Sequence, residues 1–121
     1  MIKKRTSSFK YAINGIIHCY SQPNMIIHAV IAIVVILSGI VLKLSVSEWT
    51  IILLTIGMVK AAEAFNTAIE ATVDLISPEI NEKAGIIKDI AAGAVLITSI
   101  TAAAVGIFIF LPKILTLISQ I

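Results

Sequence analysis

The chain has little with which to make a soluble surface. Of its 121 residues only 13% are charged and 6% are aromatic, and Cys19 is the single cysteine. One cysteine excludes an intrachain disulfide and any cysteine-pair metal site, and Cys19 reads as a small buried or interfacial residue. The net charge of +2 is accompanied by no basic face, so no nucleic-acid partner is expected. No phosphate-binding glycine loop of the Walker or kinase type is present, so any nucleotide chemistry needs a different solution. No internal repeat is visible. A cleavable leader is not expected either. Met1-Ile2-Lys3-Lys4-Arg5 imitates its basic start, but Ser7, Ser8, Lys10 and Asn14 interrupt the apolar core that should follow.

What the chain does have is apolar length. Hydrophobic residues make up 59% and mean hydropathy is +1.06, too apolar for an ordinary soluble domain. One integral membrane unit is expected. From Ser7 to Tyr20, Phe9, Ile13, Ile16, Ile17 and Tyr20 recur on one helical face, with Ser7, Lys10, Asn14 and His18 opposite. Preceded by Lys3, Lys4 and Arg5, this predicts a surface helix lying among headgroups. Pro23 is expected to break the pattern, with Asn24 as N-cap of a first span over 25–42. His28 in that span reads as an interfacial histidine. Lys43 to Glu48 forms a polar loop, and Trp49 suits a membrane interface. A second span covers 49–75, a polar connection follows Ser77-Pro78, and a third span runs over about 87–111, without charge from Ile90 to Leu111. Pro112 and Lys113 are expected to close it.

The second span carries the chemistry. At helical spacing Glu63, Asn66, Thr67, Glu70 and Asp74 share one stripe about 100° wide. Carboxylates at or near membrane depth are expensive, and they face a partner or a wet cavity rather than lipid. Several acidic oxygens on one side suit Mg²⁺ better than zinc. Lys60 lies near the same stripe and is expected to pair with Glu63 or to snorkel. Basic residues flanking the spans set orientation. Lys3, Lys4, Arg5, Lys10, Lys83 and Lys88 lie on one side, and Lys43 and Lys113 on the other. The N-terminus and the second polar loop are therefore expected in the cytoplasm, so that the stripe opens toward cytoplasmic nucleotide. The residues alone lead to a membrane metal site with a buried base. Phosphoryl transfer is one reaction needing that set, with Lys88 as a cation for phosphate. A non-enzymatic accessory or channel-forming subunit, its stripe a mere packing seam, is the competing class.

Two motifs add to this. Glu63-Ala64-Phe65-Asn66-Thr67-Ala68-Ile69-Glu70 with Asp74, then Gly85-Ile86-Ile87-Lys88-Asp89-Ile90-Ala91-Ala92-Gly93, resemble the prokaryotic diacylglycerol kinase family, which includes undecaprenol kinases. Phe9-Lys10-Tyr11-Ala12-Ile13-Asn14-Gly15 resembles its N-terminal amphipathic segment. The resemblance covers nearly the whole chain. It implies an all-α membrane protein with three transmembrane helices behind a surface helix, assembled as a homotrimer with shared active sites in the bacterial cytoplasmic (inner) membrane. It implies ATP as co-substrate, Mg²⁺ as cofactor and a membrane lipid alcohol as acceptor, either diacylglycerol giving phosphatidate or undecaprenol giving its phosphate. By the same resemblance Glu63 is the general base and meets the lipid together with Ala92, while Glu70 binds the metal. Asn66, Asp74, Lys88, Asp89, Glu79, Asn81 and Tyr11 are assigned to nucleotide.

One position departs from the pattern. Aligned through Asn24-Met25 and His28, Gln22 stands where the family usually has a second metal-binding glutamate, and Ile26 where a basic residue is common. A glutamine carbonyl can coordinate Mg²⁺ but brings no charge. Gln22→Glu should therefore lower, several-fold, the Mg²⁺ concentration giving half-maximal activity. Equal metal dependence in the two proteins would take Gln22 out of the site.

Overall fold

Why each helix begins and ends where it does decides what reaches the site. A computed structural model describes residues 2–121, with side chains from Lys3 onward; Met1 of the basic N-terminal segment lies outside the described residues. Four helices follow one another: α1 (Ile2–Cys19), α2 (Pro23–Val41), α3 (Val46–Ile76) and α4 (Glu82–Ser119). No strand occurs among the described residues. The last three helices are long and apolar enough to cross a membrane, and α1 precedes them, which is the all-helical arrangement expected. Over an 18-residue window, mean hydropathy reaches 2.5 in α2 and α4 but only 1.4 in α3, because α3 carries the polar stripe.

The helices are longer than the spans read from hydropathy, and three boundaries need correction. Pro23 does not sit outside α2 but opens it, with Gln22 rather than Asn24 in the N-cap position. Proline at the first helical position loses nothing, because its missing N–H has no intrahelical partner there. Gln22 makes no side-chain capping bond. Helix α4 starts at Glu82, within the connection expected to be irregular, because Asn81 Oδ1 accepts from the Lys83 and Ala84 amides at 2.9 and 3.3 Å. It also runs through Pro112 to Ser119 instead of ending there. One proline removes one backbone donor, and an apolar segment among lipid must satisfy the rest of its backbone internally, so the helix continues.

The α2–α3 corner is tightly specified. Leu44 N–H donates to Gly39 O and Lys43 N–H to Ile40 O, the paired bonds of a Schellman ending, with Lys43 at φ 55° in the left-handed position. Two residues later Ser45 and Glu48 form a capping box: Glu48 N–H donates to Ser45 Oγ at 3.2 Å, and Ser45 N–H to Glu48 Oε2 at 2.8 Å. The chain turns back so closely that Trp49 packs on Gly39. A Cβ at Gly39 would lie 2.7 Å from the indole and 2.9 Å from Leu44 Cδ1.

Two ion pairs set the register of the α3–α4 hairpin. Lys88 binds Asp74 at one end, and Lys113 Nζ lies 3.1 Å from Glu48 Oε2 at the other. The antiparallel stretch between them is about 39 Å at 1.5 Å per residue, enough to bracket roughly 30 Å of hydrocarbon. Helix α3 packs most extensively on α4, less on α2, and touches α1. Its buried positions Ile52, Val59, Asn66 and Val73 recur every seven residues, as do Met25, Ala32 and Gly39 on α2. A seven-residue seam is the signature of nearly parallel or antiparallel helices wound gently around each other. Helix α4 fully buries only Ala91 among its described residues, and many of its large apolar side chains are exposed.

The tightness at Gly39 gives a direct test. Gly39→Ala should destabilise the protein in detergent by about 1–3 kcal/mol, because the indole must move. Gly57→Ala, where nothing lies within 4 Å of the added methyl, should be neutral or slightly stabilising in the same unfolding assay.

Candidate active site on the third helix

The seam that packs α3 also carries the polar groups. Glu63 is 2% exposed and Asn66 8%, and they share the buried line with Ile52, Val59 and Val73. Glu63 lies about 16 Å of helix from Asp74, well inside the span. Its Oε2 and the Asn66 Oδ1 are buried without any hydrogen-bond partner. Most buried polar atoms are paired, so two orphaned acceptors three residues apart call for an explanation. Thr67 Oγ1 donates to the Glu63 carbonyl at 3.0 Å, satisfying its own hydroxyl on the backbone and leaving the carboxylate alone.

From Glu63 toward the end of α3 the stripe becomes progressively wetter. Asn66 Nδ2 donates to the Oε1 of half-buried Glu70 at 3.4 Å, and the next carboxylate along, Asp74, is exposed and held by Lys88. Lys88 arrives from the second turn of α4 because the short connection after Ser77 folds α4 back along α3. The stripe and Lys88, expected from separate motifs, are thus one constellation. Among the described residues no three His, Cys, Asp or Glu side chains converge as a ready metal cage.

Other expected site residues stand apart from it. Tyr11 is exposed on α1, and Glu79, Asp89 and Ala92 are exposed, with Ala91 rather than Ala92 turned into the packing. Asn81 spends its side-chain oxygen on capping α4. Gln22 is half-buried at the head of α2. Lys60 does not pair with Glu63. Its Nζ donates to the Tyr20 hydroxyl at 3.1 Å and lies 5.3 Å from the ring centre, which ties the end of α1 to α3. The reason is rotational: Lys60 sits to one side of the stripe, facing the turn after α1, and a cation over an aromatic face is itself favourable.

Sequence reasoning passed over His28. Its Nε2 lies 3.6 Å from Glu63 Oε2, so the histidine belongs to the site rather than merely to an interface. The signal was available. His28 stands three residues after Met25 and four before Ala32, on the face that α2 turns to α3. His28 and Lys60 also form the polar end of an apolar cavity of about 320 Å³ between α2, α3 and α4.

A buried carboxylate, a carboxylate–amide pair nearer water and a lysine from a neighbouring helix thus lie along one edge of α3. The family model of the prokaryotic diacylglycerol kinases matches residues 10–110. The chain belongs to that family. It is an enzyme of the membrane lipid kinase class. The undecaprenol kinase of Bacillus subtilis is 42% identical over 107 residues, covering 88% of this chain and 87% of its own. The diacylglycerol kinase of a Synechocystis species is 38% identical over 112 residues, covering 91% of this chain and 64% of its own. No solved structure matches the chain closely enough to report.

The Asp74–Lys88 pair joins two partly exposed side chains, and such pairs contribute at most about 1 kcal/mol. Asp74→Asn and Lys88→Met should therefore leave thermal unfolding in detergent nearly unchanged while lowering kinase activity at least tenfold. Loss of stability in step with activity would reduce the pair to a structural clasp.

Proposed function

We propose that the protein transfers the γ-phosphate of ATP to the hydroxyl of a membrane lipid alcohol, with Glu63 as the general base. The observation that carries this reading is the Glu63 carboxylate, almost fully buried within the span and with one oxygen unpartnered. A base for a lipid hydroxyl has to wait at that depth, away from water. A carboxylate serving only to hold helices together would have its oxygens satisfied.

In this reading the Glu63 carboxylate accepts the hydroxyl proton as the lipid oxygen forms its bond to the γ-phosphorus. The bond from that phosphorus to the β–γ bridging oxygen breaks, and ADP leaves. Phosphoryl transfer asks of the protein mainly alignment and neutralisation of charge. Lys88, tethered by Asp74 at the wet end of the stripe, is the cation for the phosphates. Asp89, Glu79, Asn81 and Tyr11 remain candidates for holding the rest of the nucleotide, and Ala92 for the lipid.

A divalent cation fits the same stripe. Glu70 and the orphaned Asn66 Oδ1 are hard oxygen donors on one face, and half-buried Gln22 offers a third at the head of α2. Two or three protein oxygens suffice for Mg²⁺, which usually takes its other ligands from water and phosphate. Bound there, it would neutralise phosphate charge and draw the nucleotide toward Glu63.

Undecaprenol is the acceptor we favour. The undecaprenol kinase relative is the more similar of the two and matches this chain along nearly the full length of both. Diacylglycerol is the second reading, supported by the other relative and by the family as a whole. The distribution of lysine and arginine supports a cytoplasmic N-terminus and nucleotide side in the inner membrane of a bacterium. A homotrimer with shared sites is in keeping with the uncovered face of α4 and the exposed flanks of the stripe.

Transfer of labelled γ-phosphate in mixed micelles, with both lipids offered in parallel and Mg²⁺ present, tests the proposal. Phosphorylation of undecaprenol well above diacylglycerol is expected. Glu63→Gln should fold and assemble as the wild type does while kcat falls about 10²–10⁴-fold, the usual range for losing a general base. Retained transfer by Glu63→Gln would exclude Glu63 as the base.

A further inference from the structure

We infer that His28 is the positioning residue for Glu63, its Nε2–H holding Oε2 so that the carboxylate is aimed at the acceptor hydroxyl. The inference rests on the reading of Glu63 as the base. It arises from a mismatch in the packing. Glu63 Oε2 is buried and without a hydrogen-bond partner, and the imidazole of His28 stands 3.6 Å away on a different helix.

The other polar groups nearby are already committed. Lys60 is turned to Tyr20, Asn66 Nδ2 to Glu70, Lys88 to Asp74, and the Thr67 hydroxyl to the Glu63 carbonyl. Among the described residues His28 alone places a nitrogen within ion-pair distance of the Glu63 carboxylate. The cavity beside the pair is lined mainly by apolar groups such as Ile31, Ala32 and Val59. Of its polar side chains Lys60 is turned to Tyr20, Thr55 donates to the Ile51 carbonyl, and Ser99 on α4 brings no nitrogen to the carboxylate.

A separation of 3.6 Å is a few tenths of an ångström too long for a hydrogen bond. Catalytic hydrogen bonds are often long before substrate binds and tighten in the complex. Closing this gap needs only a small side-chain adjustment, because both groups sit on helices locked by the seven-residue seam. The contact leaves Oε1 as the free oxygen to take the proton. A carboxylate held through one oxygen loses the torsional freedom that would otherwise carry it out of line with the hydroxyl. Misplacement of a reacting group by about 1 Å can reduce a rate on the order of 10²-fold. His28 itself touches neither phosphate nor acceptor in this scheme.

Side chains of different reach provide the test. In His28→Gln the amide nitrogen falls near the position of Nε2 and can donate to Oε2. In His28→Asn the amide nitrogen falls near Nδ1, one bond length or more too short. His28→Leu fills the space without a donor. With the purified protein in mixed micelles, kcat and KM for ATP and lipid are measured for all three, alone and combined with Glu63→Gln. We expect kcat to fall about 10–100-fold in His28→Asn and His28→Leu, with both KM values within threefold of wild type, and His28→Gln to recover most of the loss. In the Glu63→Gln background none of the three should lower the residual rate further, since residues acting as a unit are not additive.

Glutamine and asparagine variants of equal stability in detergent but unequal kcat would carry the proposal even if the leucine variant fails to assemble. Wild-type kcat in His28→Asn, with Glu63→Gln inactive, would overturn the role of His28 and leave the base intact. A further drop on adding His28→Asn to Glu63→Gln would overturn it too, by showing that His28 acts independently. Retained activity in Glu63→Gln itself would instead remove the base on which the inference rests.

Discussion

A carboxylate buried inside a membrane-spanning seam is the constraint on which the rest of this structure depends. Glu63 occupies a line of α3 whose other members are isoleucine, valine and asparagine, and it is the most deeply buried large side chain among the described residues. Such a group is several kcal/mol out of place unless it is neutral, paired or used. Packing has to hold it there. Gly39 admits Trp49, the Schellman ending and capping box return α3 tightly against α2, and the two ion pairs keep α4 in register. The corner of the α2–α3 hairpin therefore bears on how Glu63 is held, although the two are far apart along the helix.

The stripe grades from dry to wet. The two reactants of a lipid kinase come from different phases, one dissolved in hydrocarbon and one in water. Glu63 and Asn66 are buried within the span, Glu70 is half-buried, and Asp74 with Lys88 lies at the more exposed end. A single helix of 31 residues is long enough to serve both phases, which shorter α2 could not do. This is a kinase built without a glycine loop, its positioning supplied by the rigidity of helices.

Much of this was legible in the residues themselves. Helix count, the N-terminal helix ahead of the spans, the stripe and the family all follow from local pattern, because hydropathy and helical spacing are properties of neighbours in the chain. Boundaries were less legible where a residue has two meanings. Pro23 and Pro112 both read as breaks, yet one opens a helix and the other is passed through, depending on whether a missing N–H matters in its surroundings. Asn81 looked like a nucleotide ligand and is also an N-cap, a role that local spacing permits but does not announce.

By itself the sequence determined that three apolar helices must cross a membrane, that Glu63, Glu70 and Asp74 must share one face of the second, and that Lys88 must lie a short connection away. These follow from helical periodicity and the cost of polar groups in hydrocarbon. Only the tertiary structure decided which cation or imidazole meets which partner. Lys60, three residues from Glu63, turns to Tyr20, while His28, thirty-five residues away, approaches the carboxylate. The physical reason is that rotation and register between helices are set by how the seams of α2 and α3 interlock, and no single helix contains that information.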